Sequence, residues 1–96
     1  MILLSHEQLK GTLARHPEWR HRGNALERLF QCADFAAAIR FINEIAAAAE
    51  SMRHHPDLVI AWNRVTVTLS SHDVGGITER DLTLATAIDR LYDRRH

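Results

Sequence analysis

The chain has a single cysteine, two prolines and no long apolar run. The lone Cys32 excludes an internal disulfide and a structural zinc site built from several thiolates, as expected for a reducing compartment. The start, Met1 to Glu7, has too few apolar residues for a secretory signal. No stretch approaches the roughly eighteen apolar residues of a membrane span. Charge of one sign is also missing: twelve basic side chains balance twelve acidic ones, and the basic residues are scattered. That balance excludes a phosphate-binding stripe for nucleic acid or an anionic membrane. The expectation is a soluble, cytoplasmic protein. At 96 residues it is expected to be one domain, 1–96. A chain of this size hides only about 60–68% of its unfolded surface, so self-association is a natural route to further burial.

What is present is helix and strand punctuation in alternation. Ser5 with Gln8 three residues on has capping-box spacing, and Leu4 and Leu9 can form a hydrophobic staple. Pro17 ends this first helix. Pro17 to Arg22 and Ala25 to Gln31 read as strands flanking Gly23-Asn24, a two-residue hairpin signal. Asp34 is the expected N-cap of a second helix. Phe35, Ala38, Ile39, Ile42, Ile45, Ala46, Ala49 and Met52 recur in it at three- and four-residue steps. Pro56 marks its end.

Leu58, Ile60 and Trp62, then Val65, Val67 and Leu69, alternate with other residues, the period of half-buried strands. Asn63-Arg64 marks a turn or bulge between them, and Gly75-Gly76 a loop. A third helix starts at Thr78, with Asp81 three residues on and Ile77 and Leu82 as a staple. The order helix-strand-strand-helix-strand-strand-helix predicts an α+β fold: a four-stranded antiparallel sheet with three helices packed on one face.

The chemistry gathers in one third of the chain: Glu50, His54-His55-Pro56, Trp62, His72 and Asp81. Histidine titrates near neutral pH unaided, so several imidazoles in one cleft would supply proton donors and acceptors together. Adjacent histidines do not share a face, and they cannot easily reach one metal ion as histidines four apart on a helix do. Singly, each residue also has an ordinary reading. The histidine pair can cap a helix, Trp62 can fill a core, Glu50 can face solvent, and Asp81 can complete a capping box.

Their spacing is more specific. Glu50, three residues, His54-His55-Pro56, five residues, Trp62, nine residues, His72, eight residues, Asp81 resembles the signature of the pterin-4a-carbinolamine dehydratases. Asp34-Phe35 opening an Ala-rich helix, Gly75-Gly76-Ile77-Thr78, Leu84-Ala85 and Ile88-Asp89 extend the resemblance over roughly residues 5 to 92. Arg53 departs from it, where the family often carries Asp or Asn, and so does the small Ala61.

The resemblance implies dehydration of a 4a-hydroxytetrahydropterin to quinonoid dihydropterin and water, a lyase reaction in tetrahydrobiopterin recycling. It implies a histidine catalytic set of His54, His55 and His72, in which His54 and His72 flank the C4a hydroxyl. Glu50, Trp62 and Ser71 would contact substrate, with Asp81 supporting His72 and Pro56 fixing where the histidine pair points. Pterin is then the substrate, with no cofactor and no metal, in a homodimer or homotetramer linked functionally to an aromatic amino acid hydroxylase. The other functions compatible with the resemblance are a dimerisation or transcriptional co-activator module and a non-catalytic pterin-binding protein.

Overall fold

The computed structural model describes residues 2–95. Helix α1 spans His6–Arg15. The Ser5 hydroxyl accepts the Gln8 N–H at 3.1 Å and the Gln8 side chain accepts the Ser5 N–H at 2.8 Å, the reciprocal cap read from the sequence. The chain leaves the helix at His16, ahead of Pro17.

Strand β1 is Arg20–Arg22, shorter than the expected Pro17 to Arg22. Pro17 has no N–H for a ladder, and the Trp19 N–H turns back to the His16 carbonyl at 3.0 Å. Only then can the backbone pair with β2, Ala25–Gln31. Arg22 faces Ala25 across the two-residue turn, where Gly23 has φ +60°.

Helix α2, Phe35–Met52, begins where the Asp34 carboxylate accepts the Ala37 N–H at 2.7 Å. Strands β3, Asp57–Ala61, and β4, Arg64–Leu69, form the second hairpin. Its turn is Trp62-Asn63, not Asn63-Arg64, and Arg64 already belongs to β4. Trp62 therefore does not continue the Leu58 and Ile60 face. It takes φ +56° at the turn and is 71% exposed. Buried Asn63 ties this turn to the end of β2: its side-chain amide donates to the Cys32 carbonyl at 3.0 Å, and the Cys32 N–H donates to the Asn63 carbonyl at 2.8 Å. Helix α3 is Glu79–Arg95.

The sheet is antiparallel throughout, in the order β1-β2-β4-β3. Leu26 and Phe30 of β2 and Val65, Val67 and Leu69 of β4 point to one face. There they pack against Ala38, Phe41, Ile45 and Ala49 of α2 and Leu84, Ala85 and Ile88 of α3. Phe30 anchors this layer edge-on to Phe41, with ring centroids 5.1 Å apart, and to Tyr92, at 5.0 Å. Leu29 and Val59 point to the opposite, uncovered face. The expected α+β architecture is the one observed. It brings the ends of α2 and β4 and the start of α3 to the same edge of the core.

Candidate functional site

Helix α2 stops because Arg53 adopts a left-handed conformation, φ +52° and ψ +40°. The reversal lets the His54 N–H bond back to the Ala49 carbonyl at 3.1 Å. His55 precedes Pro56, whose ring disfavours helical backbone at the residue before it. His54 turns inward and is 6% exposed, whereas His55 is open to solvent. Pro56 then leads into β3.

His54 Nε2 lies 2.5 Å from Oδ1 of Asp81, which has no solvent exposure. The other oxygen, Oδ2, accepts the Ser71 hydroxyl at 3.0 Å and the Thr78 N–H at 2.9 Å. A buried carboxylate is stable only when its lone pairs meet donors. Here two donors occupy Oδ2, and the imidazole supplies the one on Oδ1. These are charge-assisted bonds, stronger than neutral ones. Asp81 makes its half of the capping box that the sequence indicated, while the Thr78 hydroxyl accepts the Arg80 N–H instead; the histidine Asp81 holds is His54, not His72. That pairing joins residues 27 positions apart.

The other two histidines are exposed. His55 Nε2 is 3.5 Å from Glu50 Oε2, with both side chains in solvent, a pair worth little by itself. His72 lies on a tight turn whose ends, Ser71 and Gly76, pair as an antiparallel bridge. One step further, Asp73 takes a hydrogen bond from the Arg80 guanidinium at 2.6 Å. That bond holds the Asp73 carboxyl below its ordinary range. The turn is thus anchored inside by Ser71 and outside by Asp73. Thr78 and Arg80, which complete these anchors, were not among the expected site residues. For Thr78 the signal was its cap spacing to Asp81; for Arg80 no signal in the sequence was available.

Two expected substrate contacts are placed elsewhere. The Ser71 hydroxyl is buried, 1% exposed, and committed to Asp81 and Thr78. Trp62 sits at the far tip of the second hairpin. β3 pairs Asp57 with Thr68 at the histidine end and Ala61 with Arg64 at the other. At about 3.3 Å per residue, this puts Trp62 roughly 17 Å along the strand from Asp57, which lies just beyond the histidine pair. Within one protomer it does not wall a ring bound at His55. A cleft of about 210 Å³ lies between Leu3, Leu4 and Leu9 and the Gly23-Asn24 and Gly75-Gly76 turns, and none of the three histidines lines it. Among the described residues no group of three or more His, Cys, Asp or Glu side chains is disposed to hold a metal ion. No described helix is long and apolar enough to cross a membrane.

The arrangement offers one buried imidazole fixed on a carboxylate and two accessible imidazoles on neighbouring segments. Comparison with known proteins points the same way. A relative from Thermosynechococcus vestitus, named "putative pterin-4-alpha-carbinolamine dehydratase", is 48% identical over 92% of this chain and 93% of its own length. One of the same name from Chloroflexus aurantiacus is 44% identical over 95% and 98%. Among solved structures, a transcriptional coactivator/pterin dehydratase from Brucella melitensis superposes with a TM-score of 0.91 at 31% identity, covering 95% of this chain and 99% of that one. A pterin dehydratase-like RuBisCO assembly factor of the alpha-carboxysome shares the fold, with a TM-score of 0.64 at 21% identity over 77% and 86%. The sequence model of the family described as pterin 4 alpha carbinolamine dehydratase matches residues 2–91. On this fold, this motif and these relatives, the chain belongs to the pterin 4 alpha carbinolamine dehydratase family.

Proposed function

We propose that this protein removes water from a 4a-hydroxytetrahydropterin, giving the quinonoid dihydropterin, and so returns spent pterin to an aromatic amino acid hydroxylase. The observation that carries the reading is the complete histidine signature, with His54 held by Asp81 while His55 and His72 stay open to solvent. Hydroxide leaves C4a poorly unless it takes up a proton as the C–O bond breaks. The nitrogen bonded to C4a must lose its proton as the new C=N bond forms. One imidazolium and one neutral imidazole serve these two needs, and the departing hydroxyl leaves as water. Each proton transfer is typically worth about 10²–10⁴-fold.

Solvent access favours His55 and His72 as the transferring pair. His54, buried and bonded to Asp81, orients the segment that carries His55. This revises the sequence-based expectation that His54 and His72 flank the hydroxyl. Glu50, beside His55, is placed to accept a hydrogen bond from the pterin or to set the charge of that imidazole. The same reading includes a homo-oligomer: α2 leaves Phe35 and Ile39 exposed on its outer side, where a second copy would cover them.

The test is to supply the carbinolamine and follow dihydropterin formation spectroscopically. His55→Ala and His72→Ala are each expected to lower turnover by at least about 10²-fold with the fold intact. Wild-type protein that does not exceed the uncatalysed rate would overturn the reading. A co-activator or pterin-binding role would leave the uncatalysed rate as it is, and pterin affinity without turnover would single out the binding protein.

A further inference from the structure

Ser71 sits where two hydrogen-bond systems cross. Its main chain closes the turn that carries His72: the N–H donates to the Gly76 carbonyl at 2.7 Å. Its own carbonyl accepts from Val74 at 3.1 Å, Gly75 at 2.9 Å and Gly76 at 3.3 Å. Its side chain reaches into the core to Asp81.

The directions of the side-chain bonds follow from Asp81. A carboxylate only accepts, so the single hydroxyl hydrogen of Ser71 is spent on Oδ2. The 2.8 Å contact between the two hydroxyls must then be Thr78 donating to Ser71. Thr78 Oγ1 in turn accepts the Arg80 N–H at 3.3 Å. Donation therefore runs one way, from Arg80 through Thr78 and Ser71 to Asp81. The chain ends on the carboxylate that holds His54 Nε2, so the proton-bearing nitrogen of His54 is Nε2.

We propose that Ser71 is a positioning residue for both histidine segments. Its hydroxyl fixes the Asp81 carboxylate, and with it the ring orientation and tautomer of His54. Its backbone closes the turn that presents His72. One buried residue thereby sets the two halves of the site relative to each other. The hydroxyl itself, fully engaged and buried, does not touch substrate. The kinetic consequence rests on the dehydratase reading; the effect on the His54 ring does not.

Ser71→Ala separates the two roles, because it removes the hydroxyl and keeps the backbone bonds of the turn. In protein with nitrogen-labelled histidine, the His54 ring N–H of the wild type is expected in the Nε2–H form and protected from solvent exchange. In Ser71→Ala that protection falls by about tenfold or more, the scale of a lost hydrogen bond to a charged group. Turnover falls about tenfold, with KM within about twofold. Ser71→Thr, which keeps the hydroxyl, restores both.

Ser71→Cys, of similar size with a weak S–H donor, takes the place of the alanine variant should that one not fold. It is expected to show a smaller loss in the same direction. Unchanged ring exchange in Ser71→Ala, or in Ser71→Cys where that variant stands in, overturns the proposal. An inactive wild type sinks the dehydratase reading instead, and the ring measurement then decides the role of Ser71.

Discussion

Asp81 and Arg53 make opposite demands at the residue scale. Asp81 is a charge without solvent, stable only while His54, Ser71 and Thr78 donate to it. Replacing it by asparagine removes the charge and brings an amide donor up against groups that already donate. We expect Asp81→Asn to lose about 1.5–3 kcal/mol, the scale of hydrogen bonds to a buried charged group, read from the urea midpoint at constant m-value. Arg53 carries a side chain in a left-handed conformation that disfavours any Cβ. Arg53→Gly is expected to raise stability by about 0.5–1 kcal/mol, in the same measurement. That the two adjacent histidines would not share a face was legible in the sequence, because it follows from the backbone alone. The partner of Asp81 was not legible, because it is set by how α2 and α3 pack.

Among the elements, local chemistry proved readable. The caps at Ser5 and Asp34, and the Asp81 reach back to Thr78, depend on residues three apart, and all are observed. Asp34→Ala is accordingly expected to cost about 1 kcal/mol of stability, seen as a lower denaturation midpoint. Elements whose ends depend on partners read less well. β1 begins only where it meets β2, and the tip of the second hairpin is one residue earlier than Asn63-Arg64 implied. The turn carrying His72 depends on the bond from Arg80 to Asp73, which lowers the Asp73 pKa. A lowered folded pKa means stabilisation that is present above the unfolded value and is lost as pH falls through the folded one. The difference in midpoint between wild type and Asp73→Asn should thus be flat at neutral pH and close only below about 3.8. A difference that closes near pH 6 would assign the effect to a histidine.

At the scale of the whole molecule, all three helices lie on one side of the sheet, and the hairpin tip carries an indole into solvent. The two tryptophans are therefore in opposite settings: Trp62 is exposed, while Trp19 is 2% exposed and donates its ring N–H to Asp89 at 3.0 Å. In dilute protein, iodide should quench Trp62 emission and spare Trp19, a contrast that single-tryptophan variants resolve. Protection of Trp62 that appears with rising concentration would place the hairpin tip in a contact between copies. The far position of Trp62 was hidden in the motif, whose five-residue gap after Pro56 is simply the length of β3.

The segment ahead of α1 adds a practical consequence. Leu3 packs so closely over Gly76 that a Cβ there would stand 2.8 Å from it, and the Leu4 N–H donates to the Ile77 carbonyl at 2.9 Å. The leading residues thus rest like a paperweight on the loop that holds His72. A side chain grafted onto Gly76 would have to evict Leu3, so Gly76→Ala is expected to unsettle the turn beneath it.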